Sequence, residues 1–155
     1  MLYLVELGLP TFLPDFEYEI VADGELGDAE ATTSMTKQLI RISQSCYEDA
    51  LKGVSRYAFT LAHEVGHLFL HTGRTVALAR GPQNKAYLNP EWQADVFAAA
   101  FLMPEEGVKL CRSVEEIASK FGVSKQAASI RAENLNMRLP DLLIRKGHRP
   151  MARTP

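Results

Sequence analysis

The stretch TLAHEVGHLFLH, residues 60–71, gathers three of the chain's four histidines around one acid in an otherwise apolar run. On a helix, His63 and His67 lie on one face, one turn apart, so two imidazoles can be presented to one point. That spacing suits chelation of a single tetrahedral metal ion. Glu64, one residue further on, points beside that axis. It is poorly placed as a third ligand and well placed to take a proton from a water held by the ion. The flanking residues are apolar, so the helix is expected to be buried, and a buried polar group without a partner costs about 1–3 kcal/mol. A bound metal would remove that cost. His63 and His67 are therefore expected to be metal ligands and Glu64 the general base of a hydrolytic site.

A catalytic zinc needs three protein ligands and one open position. Glu91 and Asp95, in EWQAD, share one face of a second helix and can supply the third. Either Glu91 is the ligand, or Asp95 is, with Glu91 then complementing the positive end of its helix. His71 lies roughly 12 Å along the helix axis from His63, at 1.5 Å per residue, too far for a straight helix to bring all three imidazoles to one ion. It is expected to stand behind the ligands, face substrate, or act as a cation at the helix C-terminus. Glu64 would activate water for attack on a peptide carbonyl and return the proton to the leaving amine. Tyr87, His71 and Arg56 are candidate donors to the developing oxyanion.

These residues need elements to hold them. FEYEIV and QLIRISQS alternate apolar and polar residues and read as strands. GELGDAEATT between them reads as an acidic, turn-rich connection, and CYEDALKG as a loop or a single helical turn. A helix from about Arg56 to His71 follows, stopped by Thr72-Gly73. Residues 74–88 carry Gly-Pro and Asn-Lys turn signals and read as a loop. Asn89-Pro90 is a favourable start for the second helix, which should stop at Pro104. Ser113 and Glu116 have capping-box spacing. Gly122 ends that helix, Ser124 can cap the next, and residues 125–139 should continue helically to Pro140. The expected fold is α+β: a small sheet packed on the His-Glu-x-x-His helix, with further helices that include a helix-turn-helix-like segment. The expected divisions are 1–104, catalytic; 105–140, helical; and 141–155, a basic tail.

RYAFTLAHEVGHLFLH followed by NPEWQADVFAAAFLMP is similar to the ImmA/IrrE family of zinc metallopeptidases, and the later Glu-x-x-x-Asp resembles the gluzincin pattern. The resemblance covers about residues 16–135, and its core, residues 56–104, is highly specific. It implies a cytosolic endopeptidase that uses Zn2+ and cleaves a helix-turn-helix repressor or antitoxin-like regulator, often in the control of mobile elements. It implies His63, His67 and Glu91 as ligands, Glu64 as base, and Asp95 as the acceptor that orients a ligand histidine. It also implies that the IRIS strand is the sheet edge on which substrate adds as an extra strand.

Charge is unevenly spread. Residues 1–103 carry 13 acids and 7 bases, whereas residues 104–155 carry 6 acids and 10 bases. SVEEIASKFGVSKQAASIRAENL reads as helix, turn, helix, with Lys125, Gln126 and Arg131 as candidate DNA contacts. A net charge of +4 over residues 104–155 is modest for DNA, so helix packing or protein docking are the competing roles. No apolar run approaches the roughly 20 residues of a membrane span. The N-terminus lacks a basic leader, and Cys46 and Cys111 are expected to be reduced thiols. The competing whole-chain reading is a non-catalytic, metal-stabilised module that binds a regulator or DNA.

Overall fold

The computed structural model describes residues 1–34, 36–72 and 86–143, which form two compact units, Met1–Leu102 and Met103–Pro155. The fold is α+β.

In the first unit, a π-helical turn at Leu4–Gly8 runs into α1, Leu9–Phe12. This segment lays Leu2, Val5 and Leu9 into the core and leaves Tyr3, Leu7 and Phe12 outside. Three strands follow: β1 (Glu17–Val21), β2 (Ala31–Thr33) and β3 (Leu39–Ser43). Their order is β1-β3-β2, with β3 parallel to β1 (Tyr18 opposite Ile40) and antiparallel to β2 (Ala31 opposite Ile42). Ile40 and Ile42 are fully buried, as the central strand of a covered sheet requires.

Two expectations fail here. The IRIS strand is the middle of the sheet, because its pairing capacity is used on both sides; the edge, packed against the later helix Ser55–His71, is β2. Residues Ala31–Thr33, expected within a connection, are that edge strand. Three residues are too few to show an alternation, and only pairing with β3 reveals them.

CYEDALKG belongs to a full helix, α2 (Gln44–Leu51), because Ser43 leaves the strand in extended conformation and its hydroxyl accepts from Cys46 N–H. Buried Cys46 anchors α2. Next comes α3 (Ser55–His71), whose Tyr57, Leu61, Val65 and Leu68 join one core with Leu2, Val5, Leu9, Phe16, Ala31, Ile40, Ile42 and Cys46. After a 3-10 turn, Ala86–Leu88, α4 (Pro90–Leu102) starts at Asn89, whose side chain accepts from Glu91 N–H at 2.9 Å. The rest of the expected loop, residues 74–85, lies outside the described residues.

The second unit holds α5 (Glu105–Lys109), α6 (Val114–Phe121), α7 (Lys125–Asn134) and α8 (Pro140–Leu143). Ser113 accepts from Glu116 N–H at 3.0 Å and Ser124 from Ala127 N–H at 3.1 Å, while Gly122 closes α6 in the left-handed region at φ 62°. The helix expected to run to Pro140 stops at Asn134, because Asn136 takes up a left-handed conformation at φ 55°. Pro140 begins a helix here, consistent with its tolerance in a first turn. Residues 144–155 of the expected basic tail lie outside the described residues.

Candidate metal centre

The centre is built on α3 and α4, and their close approach is what makes it possible. Leu61 and Val65 of α3 join the core cluster, while Gly66 meets α4. At Gly66 an added Cβ would stand 3.1 Å from Phe97 Cδ1, 3.2 Å from Ala94 Cα and 3.3 Å from Ala94 O. A side chain here would press the α4 backbone outward, so glycine suits this close approach. The first turn of α4 is then within reach of the histidines.

At that crossing, His63 Nε2 lies 3.2 Å from Glu91 Oε2, His67 Nε2 lies 3.4 Å from Glu91 Oε1, and the two Nε2 atoms are 2.9 Å apart. Three donor atoms, one from each residue, all lie within 4.8 Å of one another. In a tetrahedral zinc site with Zn–N near 2.0–2.1 Å, ligand atoms stand about 3.3 Å apart, so these separations fit a small divalent ion. The chemistry of the donors also fits. Asp95 Oδ1 lies 2.9 Å from His63 Nδ1; a carboxylate only accepts, so the proton sits on Nδ1 and the Nε2 lone pair points into the cluster. Burial holds the His67 pKa below its ordinary value, partly opposed by Glu91, which favours the neutral ring. His67 Nδ1 is buried and has no hydrogen-bond partner among the described residues.

Glu64 is 7% exposed. Burial raises its carboxyl above the ordinary value, opposed by a hydrogen bond from Thr33 and the nearby His63. The Thr33 hydroxyl stands 2.7 Å from Glu64 Oε2 and 2.8 Å from the Glu64 carbonyl. His71 is buried and donates through Nε2 to the Pro90 carbonyl at 3.3 Å, so it ties the end of α3 to the start of α4 immediately before Glu91. Arg56 is engaged elsewhere: its guanidinium pairs with Glu30, whose carboxylate also accepts from the Thr60 hydroxyl at 3.3 Å. Arg56 and Thr60, one turn apart, thereby grip the segment leading into β2. Tyr87 is exposed, and its carbonyl accepts from Gln93 at 2.6 Å.

A family model described as the IrrE N-terminal-like domain, a peptidase family, matches residues 33–133. The chain belongs to the ImmA/IrrE family. As an ImmA/IrrE protein it is a member of a metallopeptidase family, and the match contains every residue of the cluster just described. A search of curated proteins finds no match.

Sequence reasoning missed Thr33, Glu30 and the packing role of Gly66. Thr33 and Glu30 lie about thirty residues before Glu64 and Thr60, which they bind, and nothing in their own neighbourhood announces the contact. In the second unit, Lys125 pairs with Glu115, Arg131 Nε donates to the Met103 carbonyl at 3.1 Å, and Gln126 is exposed. Residues 103–143 carry equal numbers of acids and bases; the excess positive charge resides in Arg145, Lys146, Arg149 and Arg153. No helix among the described residues is long and apolar enough to cross a membrane.

Proposed function

We propose that this chain is a zinc-dependent cytosolic endopeptidase that cleaves a helix-turn-helix repressor or antitoxin-like regulator. The observation that carries the reading is the convergence of His63, His67 and Glu91 with a buried carboxylate, Glu64, on the adjoining position of the same helix. A purely structural zinc needs a fourth protein ligand and has no use for a base.

In this reading His63, His67 and Glu91 would hold the ion, and Asp95 fixes the ring of His63. The ion would supply Lewis acidity, lowering the pKa of water and polarising the scissile carbonyl. Glu64 takes a proton from the attacking water and delivers it to the leaving nitrogen. Zinc is the ion proposed because two imidazoles, one carboxylate and an adjoining general base are the side chains of a hydrolytic zinc site.

Substrate would lie along β2. Ser34 N–H bonds to the Leu39 carbonyl and Ser43 N–H to the Glu30 carbonyl. Even-numbered residues of this strand therefore face β3, and by antiparallel alternation the N–H and C=O of Ala31 and Thr33 face the free edge. A peptide added there passes beside Glu64, which Thr33 touches. The partner remains the resemblance's suggestion; the neutral surface of residues 103–143 supports a protein partner more than DNA.

The test is Glu64→Gln in the full chain, incubated with zinc and a small helix-turn-helix repressor encoded beside it. The variant should hold as much zinc as the native chain and cleave nothing. Full cleavage by the variant overturns the assignment of the base.

A further inference from the structure

We infer that Thr33 is a positioning residue for Glu64: its hydroxyl ties the free edge of the sheet to the reacting carboxylate and fixes how that carboxylate faces the attacking water. The inference rests on the peptidase reading and adds to it a residue from a different element.

The Thr33 hydroxyl has one proton and two acceptors in range, Glu64 Oε2 at 2.7 Å and the Glu64 backbone carbonyl at 2.8 Å. It can serve one at a time. A hydrogen bond to an ionised acceptor is about twice as strong as one to a neutral acceptor, so the proton goes to the carboxylate. The site is partly buried and Glu64 itself is buried, which strengthens the preference. Bound at Oε2, the carboxylate cannot rotate freely. The Thr33 N–H also hydrogen-bonds this carboxylate, so one residue holds it through two donors and leaves its remaining lone pairs to accept from water.

The tether is itself anchored. Thr33 is paired with β3 opposite Ile40, and one residue on, the Thr72 hydroxyl donates to the Ser34 carbonyl at 3.3 Å. The Glu30 carboxylate holds the other end of β2 to Arg56 and Thr60. The strand is thus fixed to α3 on both sides of Thr33. Because Thr33 also turns its carbonyl to the free edge, a peptide seated there bonds the same residue that orients the base. Binding and proton transfer meet at one residue.

Two measurements on the full chain test this. The first needs neither metal nor substrate: a thermal-unfolding double-mutant cycle with Thr33→Val and Glu64→Ala. If the hydroxyl serves the carboxylate, Thr33→Val costs less stability when Glu64 is already Ala. Additive losses mean the hydroxyl serves only the backbone, and overturn the inference. The second uses the zinc-loaded chain and a peptide hydroxamate, a probe that chelates zinc and gives its proton to an adjacent carboxylate. Thr33→Val should weaken hydroxamate binding roughly tenfold, Thr33→Ser should restore most of it, and zinc affinity should stay level in both. Hydroxamate binding by Thr33→Val as tight as in the native chain overturns the inference alone. A native zinc-loaded chain that binds no hydroxamate overturns the peptidase reading, and the role of Thr33 falls with it.

Discussion

Glu91 and Asp95 sit one turn apart on the same exposed face of α4, yet they touch different nitrogens of His63: Glu91 approaches Nε2 and Asp95 approaches Nδ1. That difference predicts unequal mutations. Glu91→Ala removes one of three donors and should abolish zinc retention on dialysis. Asp95→Ala leaves all three donors and loses only the tautomer control, so affinity should fall by roughly 10–100-fold. Competition with a chromophoric chelator separates the two, and equal retention would contradict the assignment. A second residue-scale prediction concerns Cys46, which is fully buried. Burial, then the charges of Asp49 and Glu64, push its thiol from 9.0 up to about 11. A folded pKa above the unfolded one means that raising the pH ionises the unfolded chain first. Stability contributed by the protonated thiol is complete below pH 9 and is lost between pH 9 and about pH 11. Urea titrations across that window should show a fall approaching about 1.4 kcal/mol per pH unit, absent from Cys46→Ala, and the native thiol should resist alkylation at pH 8.

Between elements, the decisive contact is α3 against α4 at Gly66. Gly→Ala within a helix ordinarily gains about 1 kcal/mol of propensity. Here two of the three nearest atoms are backbone, at 3.2 and 3.3 Å, and cannot swing aside. Overpacking of this kind costs about 1–3 kcal/mol, so Gly66→Ala should lower the melting temperature and, by pushing the start of α4 outward, weaken zinc binding. A more stable variant with unchanged affinity would show that the two helices can slide. The same contrast explains what was legible in the sequence. The starts of α4, α6 and α7 lie at Asn89, Ser113 and Ser124, where side chains bond backbone two or three residues ahead, and such local signals can be read from one chain. The His-Glu-x-x-His spacing is equally local. β2 was not legible because a three-residue strand has no period, nor were Thr33 and Glu30, whose side-chain partners are about thirty residues away. α2 hid because it is short and polar, with Cys46 as its single buried residue.

At the scale of the whole molecule, folding and metal binding should be linked, and the linkage should be unevenly distributed. His63, His67, Glu91 and Asp95 all belong to the unit Met1–Leu102, and the core cluster beneath them, from Leu2 to Leu68, is drawn from that unit alone. An unfolded chain scatters the three donors, so an ion binds the folded form preferentially and stabilises it by mass action. With free zinc at a thousandfold over Kd the gain is about 4 kcal/mol, which for a chain of this size corresponds to roughly 10 °C in Tm. Calorimetry of the full chain should show that shift on adding zinc and its reversal with chelator, and Glu91→Ala should show neither. Residues 103–143 contribute no donor to the cluster. If the two units unfold in separate transitions, only the transition of Met1–Leu102 should move with zinc. A shift confined to the other transition would place a metal site among the C-terminal residues and would remove zinc as the reason that the three donor atoms converge.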